Sequence, residues 1–225
     1  MTISVLQWVQ SSTAAAGATI SVPITISAGS YLDVFVVNGS TAVSLSSVSD
    51  GMNSYSSPFP SVIDSVNNWR LSRVYSLSSP SAGTYTVTAT FSGSATHSGI
   101  VVAEVAGSSG PLTGAGQVQA SAGTATDGIS SGLMVLSAAP ALILGCTAQT
   151  NSAGAVTSAG TNYVDGGGIW SALNTNFGRV ESQRVTTTAS IAATFTETTT
   201  AACMTIGTAW QESSSSQPLM GQILT

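Results

Sequence analysis

Thr84 to Gly107 reads TYTVTATFSGSATHSGIVVAEVAG. From Thr84 to Phe91, hydroxyl and apolar side chains alternate, the period-two signature of a half-buried strand. A small polar turn follows, then an apolar run from Ile100 to Ala106. Thr188 to Glu212, TASIAATFTETTTAACMTIGTAWQE, repeats that plan, and Phe195 follows Phe91 by 104 residues in a chain of 225. The reading is one β unit used twice, with the two copies closing on each other as a sandwich.

Working outward, the correspondence extends. Leu32 to Val37 and Ala141 to Gly145 are apolar strands, preceded by SAGS and SAAP. The turns SDGMNSY (Ser49 to Tyr55) and SAGTNYV (Ser158 to Val164) come next, then two arginine-bearing strands, WRLSRVYSL (Trp69 to Leu77) and GRVESQRVTT (Gly178 to Thr187). Strand signals recur at 3–9, 17–26, 32–38, 42–49, 69–77, 84–92, 99–106, 115–121, 131–137, 140–149, 154–158, 177–188, 190–196 and 201–211. Ser61 to Asn68 and Gly168 to Asn174 are the two places read as single helical turns. Gly107 to Gly116 (GSSGPLTGAG) reads as the connector between halves.

The predicted fold is all-β: an antiparallel two-sheet β-sandwich, jelly-roll-like, from an internal duplication of 104 residues. Two separate immunoglobulin-like sandwiches are the alternative, and the short connector favours one closed unit. Residues 1–212 form that single domain, with halves at about 17–107 and 115–212. Val34, Val36, Val87, Phe91, Val101, Ile143, Phe195 and Ile206 are its expected core. Ser213 to Ser216 is a serine spacer, and Pro218 to Thr225 (PLMGQILT) is an apolar arm suited to docking on a neighbour or folding back on its own sandwich.

Charge is sparse: four arginines, no lysine, nine acidic residues and a net charge of −5. Nucleic-acid binding needs clustered cations, which this chain lacks, and so does docking on anionic membranes. No apolar run reaches the roughly 18 residues of a spanning helix. With a mean hydropathy of +0.35, disorder is also excluded. The solvent face is built from Ser, Thr, Asn and Gly, an extracellular kind of surface, while MTISVLQWVQ lacks the basic start of a secretory signal. A virus particle reconciles the two, being made in the host cytoplasm and exposed outside it; a mature domain expressed behind a new Met does so too.

Chemical sites are scarce. His97 is the single histidine and sits in a wet turn, a poor support for a triad. Glu104 and Glu212 fall at matching strand ends and read as surface carboxylates rather than a glycosidase pair. SDGMN (Ser49 to Asn53) and VDGGG (Val164 to Gly168) supply one acid each, too few for calcium. Cys146 and Cys203 read as buried small hydrophobes, with a disulfide as the alternative if their strands are neighbours at suitable Cα spacing. The arginines are expected to pair locally with acids such as Asp64 or Glu181, or across a subunit boundary. No catalytic residue, metal site or cofactor is expected. Trp8 and Trp170 are the aromatic candidates for contact with a partner, together with Pro218, Leu219, Met220, Ile223 and Leu224 of the arm.

The order VFVVNG, SSVSDGMNSY, the arginine strand, TYTVTATFSGS, VVAEVAG, a glycine-rich connector and a final TAWQE resembles a group of Ser/Thr-rich β-sandwich proteins of tailed-phage virions and bacterial surfaces, over about residues 17–212. The group's EYSG-like segment is replaced here at Val105-Ala106-Gly107. The resemblance implies a scaffold or attachment module. The expectation is a non-enzymatic structural subunit of a tailed-phage virion, a capsid decoration or tail-associated protein contacting other virion proteins and copies of itself. A carbohydrate-binding or adhesive module, meeting a host surface glycan, is the second expectation; a hydrolase on a jelly-roll scaffold is the third.

Overall fold

The computed structural model describes residues 1–57, 60–78, 81–121, 129–150, 156–170, 178–197 and 202–214. The first half contains β1 (Ser4–Thr13), β2 (Gly17–Ile26), β3 (Tyr31–Asn38), β4 (Leu45–Ser49), β5 (Tyr55–Ser56), β6 (Val62–Asp64), β7 (Trp69–Ser76), β8 (Gly83–Ala95) and β9 (Ser98–Ala106). The second contains β10 (Ser108–Ser121), β11 (Ile129–Ser130), β12 (Met134–Val135), β13 (Ala141–Gln149), β14 (Val156–Ala159), β15 (Val164–Ile169), β16 (Gly178–Val185), β17 (Ser190–Ile191), β18 (Thr194–Glu197) and β19 (Cys203–Glu212). The architecture is all-β and antiparallel, with no helix among the described residues.

Strand pairing follows the same order in both halves. β1-β9-β3-β7-β5, with β6 also on β7, forms one large sheet, and β2-β8-β4 forms a smaller one. The second half repeats this as β10-β19-β13-β16-β15 and β11-β18-β14, with a short β12-β17 pair added.

The fold is the expected all-β, sandwich-like one, with the two halves packed through their large sheets, but smaller sheets are added to the two large ones. Each large sheet is covered on both faces. Val34, Val36, Ile100 and Val102 point toward β2 and β8, where they meet Val22, Ile24, Val87 and Phe91. One residue along, Phe35, Val37, Val101 and Ala103 point the other way and meet Leu142, Leu144, Ile206 and Trp210 of the second large sheet. That sheet's far face puts Ile143 and Ala209 against Met134 and Leu136, and Cys203 against Ile129 and Phe195. The result is four layers: small sheet, large sheet, large sheet, small sheets.

The physical reason lies in β3, β9, β13 and β19. All but the first residue of β3, all of β9 and β13, and all but the last two of β19 are buried. A strand with one wet face must alternate, whereas an unbroken apolar run needs cover on both sides. At about 1.5–3 kcal/mol for each fully buried aliphatic side chain, these strands dominate the core. The expected core residues are all buried, but they belong to four clusters rather than one.

Three local expectations change. Gly107 to Gly116 is no linker: β10 begins at Ser108, and Gly107 alone makes the turn at φ +70°. A Cβ there would lie 2.8 Å from the Thr2 carbonyl oxygen, so the position favours glycine twice over. Ser61 to Asn68 holds β6 and a turn ending at Asn68, φ 62°, in place of a helical turn. Gly168 and Ile169 complete β15, Trp170 follows at φ 63°, and 171–174 lie outside the described residues.

Candidate functional site

Among the described residues, four carboxylates are buried to 1% exposure or less: Asp33, Asp64, Glu104 and Glu181. Each lies in a strand of a large sheet, and strand parity decides which seam it faces. Asp33 and Asp64 share the face that meets the other half. Glu104 and Glu181 point outward, toward the smaller sheet of their own half.

Asp33 receives two hydrogen bonds from Arg73, Nε to Oδ1 and Nη2 to Oδ2, both 2.7 Å. Its Oδ2 also accepts from the Trp210 indole N–H at 2.7 Å and from the Thr208 hydroxyl at 3.2 Å. The Arg73 guanidinium lies 4.8 Å from the Tyr75 ring centroid and 6.0 Å from that of Trp210. A fully buried ion pair is thus wrapped in aromatic surface, with partners from both halves. Asp64 crosses the same seam, accepting a short hydrogen bond from the Thr150 hydroxyl as well as 2.8 Å from the Asn67 amide. Burial pushes its carboxyl up, but the hydrogen bonds from Thr150 and Asn67 outweigh it and hold the group below the ordinary range.

Glu104 accepts from the Gln7 amide at 2.6 Å, the Ser27 backbone N–H at 2.7 Å and the Ser30 hydroxyl at 2.9 Å. Ser27 and Ser30 form the turn where the chain passes from β2 to β3, from the outer layer to the inner. Burial again raises the carboxyl, and these donors lower it further than burial lifts it. This corrects the surface assignment of Glu104. Glu212 is not its equivalent: it stands near the end of β19, bound by Arg184 at 2.6 and 3.0 Å and by the Ile3 N–H at 3.3 Å.

Glu181 accepts from the backbone N–H groups of Gly160 and Thr194, both at 2.8 Å. Burial, the largest influence, lifts its carboxyl to about 7; the two N–H groups oppose the rise and the charge of Asp165 adds to it.

The arginines pair locally, though not with the acids expected. Arg73 takes Asp33, Arg179 takes Asp165, and Arg184 takes Glu212. Arg70 donates to the Thr41 carbonyl at 2.7 Å. His97 occupies the β8–β9 turn at φ 53°, its ring 6.1 Å from that of Trp69. Asp50 caps its own turn, accepting from the Met52 and Asn53 N–H groups. Cys146 and Cys203 form no disulfide and are buried on opposite faces of the second large sheet. No cluster of three or more potential metal-ligating side chains occurs among the described residues, and no described helix is long and apolar enough to cross a membrane.

Of the partner-contact candidates, Trp170 is corrected to an internal position. It is 1% exposed, its backbone N–H donates to Gln10 at 2.7 Å, and Gly99 and Gly178 leave the space its ring occupies. Trp8 is half-buried and lies over Gly166, where a Cβ would come 2.7 Å from Nε1. Both indoles therefore join β1 and β9 to β15 and β16. Pro218, Leu219, Met220, Ile223 and Leu224 lie outside the described residues.

Two surface features complete the inventory. A groove of about 500 Å³ runs between Met1, Thr2, Pro140, Glu212 and Ser213; among the described residues, Glu212, held by Arg184, is the one charged side chain in its lining. The outward face of β2-β8-β4 forms rows in register: Thr19–Thr90–Ser47, Ser21–Thr88–Ser49, Pro23–Thr86 and Thr25–Thr84. Nine of these ten side chains carry a hydroxyl and none is charged. Ser21 pairs with Thr88 and Thr25 with Thr84, each at 2.9 Å.

Comparison with known protein families, characterised proteins and solved structures finds no match to this chain. The seam carboxylates were beyond sequence reading, because the partners of Asp33 lie 40 and 177 residues away.

Proposed function

We propose that this chain is a non-enzymatic structural subunit of a tailed-phage particle, an accessory decoration or tail-associated protein. We read each half as a jelly-roll-like sandwich and the second half as a duplicate of the first; the shared pairing order supports this. The observation that carries the functional reading is the placement of charge. Each buried carboxylate closes a seam within the molecule, and the outer sheet offers hydroxyl groups with no charge. Such a body serves by rigidity and by shape repeated over many copies.

The test is molar mass by light scattering, together with co-sedimentation with capsids and tails, for the full chain and for one ending at Gln217. The reading expects a defined oligomer or particle binding, weakened by loss of Pro218 to Thr225. A monomer that binds no particle refutes it. The adhesive alternative has one foothold, the half-buried Trp8, since Trp69, Trp170 and Trp210 are buried. Glycan-dependent fluorescence that disappears in Trp8→Phe would favour that alternative.

A further inference from the structure

Gly107 is the whole connection between the two halves: β9 ends at Ala106 and β10 begins at Ser108. At φ +70° it turns the chain from one large sheet into the other. The turn is packed shut. Its carbonyl accepts the Ser213 N–H at 2.8 Å and the Ser213 hydroxyl at 3.0 Å, while the Thr2 carbonyl fills the place a Cβ would need. Glycine holds this conformation without strain, and other residues do not.

The polar contacts that cross the seam each take one group from either side of position 107. Asp33 accepts from Trp210 and Thr208, and Asp64 from Thr150. Gln10 donates to the Gly168 carbonyl at 3.2 Å and accepts the Trp170 N–H. The apolar cluster between the large sheets draws on both halves in the same way. Away from the seam, each half has a core made only of its own residues: Val22, Val87 and Phe91 belong to the first, and Met134, Ile143 and Phe195 to the second. Each half therefore retains packed layers when the other is withdrawn. No seam contact requires its two groups to come from one chain.

We propose that Gly107 is the hinge of a reciprocal exchange, in which the seam of each half is completed by a second copy of this chain. With the hinge turned, a chain closes on itself. With it extended, β9 runs on into β10, and the first half of each chain meets the second half of the other. Both seams then form with unchanged contacts. The two states differ in the turn, with its Ser213 bonds, and in the entropy of association. A closed chain holds its halves at high effective concentration, so glycine at 107 keeps the monomer dominant in dilute solution. Exchange is reached when chains refold together at high concentration, because a one-residue hinge leaves little slack for self-closure. The inference does not rest on the virion reading and does not involve Pro218 to Thr225.

The experiment is molar mass by light scattering after refolding at micromolar and at millimolar concentration. It compares the full chain, Gly107→Val, and Gly107→Val with Gly-Gly inserted after position 107. Valine is disfavoured in the left-handed turn and suits an extended strand. Each exchanged dimer relieves two such turns, so the dimer dissociation constant should fall at least about tenfold from wild type. The insertion should restore the monomer by letting the closed chain bypass the turn. The wild type should give a dimer fraction that grows with refolding concentration and persists on dilution, since release requires the seam to open. A folded Gly107→Val chain that stays monomeric at millimolar concentration overturns the proposal. So does a dimer whose amount is unchanged by the insertion, which marks an ordinary surface contact. Should Gly107→Val not fold, the wild type decides, with and without the insertion: a dimer reduced by the longer hinge supports the exchange, and a wild type that refolds only as monomer removes it.

Discussion

Asp33 on β3 accepts the indole N–H of Trp210 on β19 at 2.7 Å, across 177 residues of sequence. The contact joins the two halves between two fully buried side chains, and Arg73 supplies the opposite charge. Removing Arg73 alone strands an anion in a dry interior. Arg73→Met is expected to cost about 3–5 kcal/mol in urea unfolding, and Asp33→Leu combined with Arg73→Met should recover much of that. Trp210→Phe keeps an aromatic ring but removes the indole N–H, at about 1.5–3 kcal/mol for the lost hydrogen bond to a charged acceptor, and adds the cost of the smaller ring in a fully buried site. Because the contact couples the halves, the wild type should unfold in one transition, and the single variants should move toward two.

Asp64 and Glu104 make an acid limit. Both carboxyls are held below their ordinary values in the fold, since their hydrogen bonds outweigh the effect of burial. Their stabilisation is therefore complete above the unfolded-state values and is lost as pH falls through the lower, folded ones. Unfolding free energy should drop steeply below about pH 4. Glu104→Gln should cost about 1–3 kcal/mol at neutral pH, with the difference from wild type shrinking toward pH 3. A difference that stays constant with pH would show that Glu104 acts by packing and not by charge.

Trp170 fits a slot walled by two glycines. A Cβ on Gly99 would stand 2.4 Å from its Cδ1, and one on Gly178 2.5 Å from its Cε3. Neither clash has a flexible side chain to absorb it, because the ring is held between strands and its backbone is fixed at φ 63°. Gly99→Ala is expected to lower stability by about 1–3 kcal/mol through overpacking. Trp170→Leu in the same background should restore part of the loss, which thermal unfolding of the two variants would reveal.

These sites show how far sequence reasoning reaches. The alternation of TYTVTATF identifies β8 and its wet face correctly, because the pattern is local and the strand has one dry side. The apolar runs of Val34 to Val37 and Ile143 to Cys146 were also legible as strands. What they face was not: an unbroken run says that both sides are covered without saying by what. The same holds for Glu104, which reads as a strand-end surface group until the turn at Ser27 to Ser30 folds over it. Trp170 looks like a loop aromatic available to a partner, since the gaps that receive it are made by Gly99 and Gly178, one of them 71 residues earlier. Contacts of that range leave no periodic trace. The candidate site therefore emerges from tertiary structure, while the fold class was legible in local patterning.

The hydroxyl rows of β2-β8-β4 lead to a prediction about association. Attraction between charged surfaces weakens as salt shortens the screening length from about 10 Å at 0.1 M to about 3 Å at 1 M. This face carries no charge to be screened. If the chain assembles through this face, its dissociation constant should change less than about threefold between 0.1 and 1 M NaCl, measured by sedimentation equilibrium. Thr88→Lys, placed at the centre of the three-strand row Ser21–Thr88–Ser49, should weaken association at low salt and regain part of it at high salt, while leaving the unfolding midpoint nearly unchanged. Association that is strongly salt-dependent in the wild type, or indifferent to this substitution, would move the contact surface elsewhere on the molecule.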